Sequence, residues 1–332
     1  MNGVKAYSDK IEGNIERLLE KYNCQCLYGF RSYISQFSLS TIYQYIDVIG
    51  RFMKYNGKDV SELTIDDYSG YLYSIKDKTS SYRVVVYTAL KRFSEYLAIS
   101  KRNENNPMQY IKKPKSKDSE QTIEKREHAY LEKAEIKKYI EAINKTEKPR
   151  QLTEEVFEAS KKRDLAIVMI LLNTGMRVSA LYKLNVDSVN IENATLTVTD
   201  KGSKVVSYNL SDSLIECIED YLKERDVFIK NGSDDDEALF LSKKGTRLSA
   251  YSISDAVRKY AKLCGITDRE ISPHKLRATF GTQVYKQTKD IRLTQIAMNH
   301  SNSHTTELYI RGNKDKSRKA ATDIMSKLTF GE

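Results

Sequence analysis

The chain has 332 residues, and its 55 Lys and Arg exceed its 45 Asp and Glu to give a formal charge of +10. That length supports two domains with separate hydrophobic cores, and the positive excess points to a polyanionic partner, nucleic acid foremost. Four scattered cysteines exclude a disulfide scaffold, and the longest apolar run, LAIVMILL at 165–172, is far short of the ~20 residues of a membrane span.

The first third predicts helices only. Ile11, Ile15, Leu18 and Leu19 make one apolar stripe, and about ten residues are expected ahead of it. In STIYQYIDVIGRFMKY, Ile42, Tyr45, Ile46, Ile49, Phe52 and Met53 recur at helical spacing, with Ser40 as N-cap. Thr64 followed by Asp67 predicts a capping box opening a helix through Tyr68 and Leu72. In SSYRVVVYTALKRFSEYL the stripe is Val86, Leu90, Phe93 and Leu97, capped by Ser80 or Ser81. Four short amphipathic helices bury one shared core. On the last of them Arg83, Lys91 and Arg92 are candidate DNA contacts. Residues 111–127, IKKPKSKDSEQTIEKRE, are almost wholly polar and read as a linker. Its Lys112 and Lys113 either lie along a phosphate backbone or are simply solvated. The expected division is 1–110, a linker at 111–127, and 128–332.

After the linker the pattern is mixed. A helix over about 155–173 stops at Gly175, placed for a left-handed C-terminal conformation, and a short helix carries Arg177 and Leu181. Leu196 and Val198 then alternate with threonines, a turn follows at Lys201-Gly202-Ser203, and Val206 and Tyr208 resume the period of two. This predicts a β-hairpin with Lys201 at its tip and Lys204 as its rival. Ser211 caps a helix bearing Leu214, Ile218 and Leu222, and another runs from about 251 to 263 and stops at Gly265. Ser272-Pro273 supplies the N-cap and first-turn proline of a helix holding His274 and Arg277. The Asp234-Asp235-Asp236 run reads as a solvated loop, so no metal site is expected. Cys24-x-Cys26 lacks the second ligand pair of a zinc site, and free thiols in a reducing compartment are expected.

Exchange at a phosphodiester needs charge stabilisation on the phosphoryl oxygens, a deprotonated nucleophile and a protonated leaving oxygen. Guanidinium suits the first task, being always charged and matched in shape to phosphate. Arg177 and Arg277 are the candidates, and each such donor is worth roughly 3–4 kcal/mol in comparable sites. His274 and Arg277, three apart, project from one helix face, and a histidine of near-neutral pKa can take a phenol proton. Lys201 can protonate the departing 5′-oxygen. Tyr309 is the nucleophile candidate, nine residues after His300 in NHSNSHTTELYI; with a free pKa near 10 it needs cationic neighbours.

In order, Arg177 in TGMRVSAL, Lys201 in DKGSK, His274 and Arg277 in HKLR, His300 and Tyr309 resemble the six site residues of the tyrosine recombinase/integrase family over nearly the whole chain. Two positions depart from the family pattern: Ala180 stands where an acidic residue is usual, and Asn299 replaces the glycine before His300. The resemblance implies a mainly α fold with a small β-hairpin or sheet, a four-helix SAM-like core-binding domain and an α+β catalytic domain. It implies a C-shaped clamp on duplex DNA and a homotetramer synapsing paired recombination sites. Strands then exchange through a 3′-phosphotyrosyl bond and a Holliday junction, with no cofactor, metal or ATP. An accessory DNA-bending or directionality protein is also implied, and a helix in 314–328 is expected either to dock on a neighbouring protomer or to pack on its own domain. The expected place is the cytoplasm, on the nucleoid and away from membranes. With no separate arm-site-binding domain expected, a simple recombinase fits, whether mobile-element integrase, Xer-type dimer resolvase or invertase, and the departures at Ala180 and Asn299 favour a mobile-element or phage enzyme among them. A non-catalytic DNA-binding protein of the same fold and a type IB topoisomerase remain as alternatives.

Overall fold

The later turns of the first helix, α1 (Asn2–Tyr22), bury an apolar face in which Ile15 and Leu19 are fully enclosed. The structure, a computed structural model, describes residues 2–114, 130–200, 204–229 and 237–299. Its chain divides into two compact units, Met1–Glu120 and Gln121–Glu332. α1 begins at Asn2, so the expected ten residues ahead of the first helix are part of it.

The N-terminal unit continues with α2 (Gln25–Tyr33), α3 (Leu39–Asn56), α4 (Ile65–Ser74) and α5 (Ser80–Ile99). α2 adds one short helix to the four read from the sequence. It buries Cys26, Leu27 and Phe30, and Phe30 meets Phe93 edge to face with ring centroids 5.2 Å apart. Burial of each such side chain contributes roughly 1.5–3 kcal/mol. Phe52, Tyr68 and Tyr71 form a second aromatic cluster, the first pair at 4.8 Å. The Thr64–Asp67 capping box is present. The other two caps shift: Ser38, not Ser40, receives the Thr41 N–H, and Thr79, not Ser80 or Ser81, receives that of Tyr82. In both cases a residue slightly earlier in the chain is the one left outside the helix, as an N-cap requires.

The described part of the second unit begins with α6 (Lys133–Asn144) and the long α7 (Glu154–Thr174), followed by one-turn α8 (Val178–Leu181). Strands β1 (Val189–Asn190), β2 (Thr195–Asp200) and β3 (Lys204–Asn209) form an antiparallel sheet in that order. Leu196 pairs with Tyr208 and Val198 with Val206, and Leu196 and Val198 face the core while Thr197 and Thr199 are exposed. The hairpin is as expected, with β1 added at its edge; the tip at 201–203 lies outside the described residues. Helices α9 (Asp212–Glu224), α10 (Asp226–Ile229), α11 (Ala250–Leu263), α12 (Pro273–Thr288) and α13 (Ile291–Ala297) follow among the described residues. Among the described residues no helix is long and apolar enough to cross a membrane.

The irregular segment 238–241 is buried without a full ladder, so its carbonyls need other partners. Arginines supply them. Arg225 donates to the Ala238 carbonyl, and Arg163 to that of Leu241 at 2.8 Å. Arg163 also grips Asp164, whose other oxygen accepts the Tyr260 hydroxyl at 2.9 Å. Burial, then the Asp164 charge, pushes the Tyr260 phenol far above its ordinary range. This buried ion pair is tolerated because both carboxylate oxygens of Asp164 accept hydrogen bonds.

Candidate active site

The site begins where α7 ends. Gly175 takes a left-handed φ of 60° and its N–H closes on the Leu171 carbonyl at 3.1 Å. A β-carbon there would run into the ring of Phe280 on α12, so glycine is required both by backbone and by space. Two residues on, Arg177 is the N-cap of α8: its carbonyl accepts the Ala180 and Leu181 N–H groups at 2.9 and 3.0 Å. Extended backbone at Arg177 (φ −76°, ψ 144°) ends one helix and starts the next within three residues.

α12 supplies the facing side. Ser272 is its N-cap residue by backbone conformation, though its side chain makes no capping bond, and Pro273 fills the first turn. Arg277 is only 4% exposed. It donates through Nη1 to the Gly175 carbonyl and through Nη2 to the Met298 carbonyl at 2.6 Å. One guanidinium thus fastens the segment leading to Arg177 and the segment leading to His300. Gly281, one turn further along α12, lets Met298 seat against the helix backbone, where a β-carbon would meet its sulfur.

His274 stands exposed in the first turn of α12. Crowding by the surrounding protein lowers its pKa from the ordinary 6.5, and Arg277, Lys275 and Arg177 lower it further, against a hydrogen bond to its own backbone that raises it. The imidazole keeps a solvent-facing edge, so it stays open to a substrate. At pH 7 the ring is neutral and able to accept a proton.

Arg177, His274 and Arg277 are therefore brought together from two elements about a hundred residues apart. Lys201, His300 and Tyr309 lie outside the described residues. Asn299 is described: it adopts φ 49° and closes α13 with its N–H on the Ile296 carbonyl at 2.9 Å. The left-handed turn expected of an asparagine at this glycine position is present.

Ala180 is buried at 1% exposure within the core, so α8 packs there through a methyl group. Its far end is held by Arg247, which sequence reading missed. Arg247 donates to the Tyr182 and Leu184 carbonyls at 3.2 and 2.9 Å and to Asn185 Oδ1 at 2.6 Å. Nothing in the sequence separates this arginine from the chain's other basic residues. Met298, Phe280 and Gly281 were likewise missed, although a glycine in the middle of a helix was an available signal.

The candidate DNA contacts of the N-terminal unit differ among themselves. Lys91 is exposed, Arg83 half-buried, and Arg92 engages Glu95 at 3.0 Å and the Phe37 ring. At about 100° per residue, Arg83 and Arg92 fall on opposite sides of α5. Lys112 and Lys113 are exposed just past Ile111, whose carbonyl is fixed by the Tyr87 hydroxyl at 2.7 Å. A depression of about 600 Å³ between α6 and α11, lined by Lys138, Glu141, Lys145 and Lys259, contains none of the predicted site residues. Among the described residues no group of His, Cys, Asp or Glu could hold a metal ion.

Residues 141–316 match the Phage integrase family. A tyrosine recombinase XerC of Caldanaerobacter subterraneus subsp. tengcongensis is 32% identical over 279 residues, 79% of this chain and 71% of its own. A tyrosine recombinase of Pseudothermotoga lettingae is 28% identical over 304 residues, 89% of this chain and 94% of its own. In fold, the XerH site-specific recombinase in its post-cleavage complex with a palindromic difH substrate gives a TM-score of 0.65 at 21% identity, covering 86% of this chain and 79% of that one. A lambda integrase dimer bound to a COC′ core site gives 0.61 at 14% identity, over 89% and 94% of the two chains.

Proposed function

The chain belongs to the phage integrase family of tyrosine recombinases, and from that premise we propose that it cleaves and rejoins duplex DNA at paired sites through a 3′-phosphotyrosyl intermediate. Tyr309 Oη attacks the scissile phosphorus and the bond to the 5′-oxygen breaks. His274, neutral at pH 7, takes the phenol proton, and Lys201 protonates the leaving 5′-oxygen. Arg177 and Arg277 hold the non-bridging oxygens, with His300 donating alongside them. Because the phosphotyrosyl bond conserves the energy of the broken one, a 5′-hydroxyl from the partner strand can reverse the step without nucleotide hydrolysis.

The observation that carries this reading is the convergence of Arg177, His274 and Arg277, with one guanidinium tying both flanking segments. The N-terminal unit, with Lys91, Lys112 and Lys113, and more weakly Arg83 and Arg92, is assigned to backbone contact on the DNA. Four protomers on two sites, aided by an accessory DNA-bending or directionality protein, complete the proposed assembly.

The test is a pool of nicked suicide duplexes of randomised sequence, incubated with the protein and resolved on a denaturing gel. Covalent DNA–protein adducts are expected with the native chain and absent with Tyr309→Phe. Adducts that persist in that variant would move the nucleophile elsewhere; no adducts with the native chain, but retained binding, would favour a non-catalytic DNA-binding protein. Sequencing the trapped DNA gives the site.

For the biological role, integration or excision of a mobile element is proposed from the departures at Ala180 and Asn299. Dimer resolution is the second reading, favoured by relatives named XerC and XerD. Direct repeats bounding the gene support the first; a lone chromosomal site supports the second.

A further inference from the structure

Two sulfurs of the N-terminal unit meet at the joint between its first helices. Asn23, with a left-handed φ of 45°, turns the chain out of α1, and Cys24 follows as the extended N-cap residue of α2. The geometry folds Cys24 back over the first helical turn, and its Sγ lies 2.7 Å from Sγ of Cys26. This is inside van der Waals contact and not far beyond the ~2.05 Å of a sulfur–sulfur bond. Cys26 is 4% exposed and packs in the core, whereas Cys24 is half-buried with a face to solvent.

We propose that Cys24 and Cys26 form a reversible two-electron redox site, in which a hydroperoxide converts the pair to an intramolecular disulfide. Cys24, as thiolate, attacks the distal peroxide oxygen; the O–O bond breaks and the other oxygen leaves as an alcohol or water after taking a proton. Cys24 is now a sulfenic acid. Sγ of Cys26 attacks Sγ of Cys24, the S–O bond breaks, and hydroxide departs with the Cys26 proton as water. Two thiols and one hydroperoxide give one disulfide, one alcohol or water, and one further water.

The roles follow from position. Cys24 faces the oxidant because it is the sulfur with solvent access. The hydrogen bond from Cys26 draws its thiol down to about 6 against the opposing effect of burial, with smaller help from the Cys26 and Leu27 N–H groups. Those N–H groups flank the sulfur without forming a full capping bond. The same hydrogen bond, then burial, keeps the proton on Cys26. Cys217 and Cys264 supply an internal contrast, since burial raises both, the first to about 11. A ring closed between residues only two apart is small, so a dithiol reductant is expected to reopen it.

The test uses the full reduced chain at pH 7. Iodoacetamide is expected to alkylate Cys24 at least about tenfold faster than Cys217 or Cys264, since thiolate character sets the rate. One equivalent of hydrogen peroxide should remove two hydrogens from the intact mass, with peptide mapping placing the link between Cys24 and Cys26 and dithiothreitol restoring both thiols. In Cys26→Ser, Cys24 should instead be trapped by dimedone as the sulfenic acid; in Cys24→Ser, Cys26 should stay reduced. Serine replaces each sulfur with little change of volume, and the alkylation rates of the native chain read the same point without any variant. Equal alkylation of all four thiols, peroxide loss spread evenly among them, or a link from Cys24 to a second chain would each overturn the proposal.

Discussion

Replacing Gly175 by alanine tests the arrangement where backbone and packing constraints coincide. Its φ of 60° places the new β-carbon against the following carbonyl, which costs about 1–2 kcal/mol. The same β-carbon meets the Phe280 ring, and overpacking of this kind costs about 1–3 kcal/mol. The sum is about 2–5 kcal/mol. Gly57 provides the matched control: it closes α3 with a φ of 64°, and a β-carbon added there would have nothing within 4 Å. Gly57→Ala should therefore show only the backbone cost, about 1–2 kcal/mol. Hydrogen-exchange mass spectrometry on the full chain reads each helix end separately, comparing peptides that cover the ends of α7 and α3. Because the Gly175 carbonyl holds Arg277 and the next residues carry Arg177, a displacement near 1 Å should also slow suicide-substrate cleavage about a hundredfold. Gly57→Ala should leave cleavage nearly unchanged. If Gly175→Ala loses no more protection than Gly57→Ala, the Phe280 contact does not hold this loop, and the account of how Arg177 is placed fails.

Three further outcomes are expected. The imidazole of His274, followed by NMR in the free protein, should titrate below 6.5, and Arg177→Met should move its midpoint upward by removing one cation. The unfolded chain takes up that proton first, so the fold should lose stability as pH falls below 6.5 and towards the folded midpoint, and a His274→Gln variant should flatten the slope there. Arg247→Met should lower the cleavage rate about tenfold or more with little change in DNA affinity, because it leaves the Tyr182 and Leu184 carbonyls at the end of α8 without that donor; loss of affinity with cleavage per bound complex unchanged would assign it to DNA contact. Lys112→Ala and Lys113→Ala should each reduce the slope of log affinity against log salt by about 0.9 if they neutralise phosphates, and an unaltered slope would make them solvated linker residues.

Local signals with a single physical solution could be read directly from the chain. Thr64 and Asp67 satisfy two orphan N–H groups reciprocally, and Gly175 and Asn299 occupy left-handed positions that few other residues tolerate. The hairpin was legible from its period of two, while β1, with two residues, is too short to have a period. α2 escaped for a different reason. Its nine residues carry Gly29 in the middle, and what makes that glycine useful is the hydroxyl of Tyr96 lying against it, a partner 67 positions away in sequence that no window can see. The caps at Ser38 and Thr79 were misplaced by one or two residues because neighbouring serines and threonines are chemically equivalent until backbone geometry chooses among them.

The arginines carry the deeper lesson about the site. Arg163, Arg225, Arg247 and Arg277 all donate to buried main-chain carbonyls, so residue type alone does not distinguish a scaffold arginine from one at the reaction centre. In the proposed mechanism the two roles coincide in Arg277. Its bonds to the Gly175 and Met298 carbonyls fix the guanidinium before any DNA arrives, which is the preorganisation that charge stabilisation needs. Carbonyl acceptors also do not titrate, whereas an orienting carboxylate loses its charge in acid. The bonds that Arg277 and Arg247 make to these carbonyls therefore keep their acceptors at every pH. On the acid side, the pH dependence of cleavage should accordingly include the titration of His274, whose midpoint lies below the ordinary 6.5.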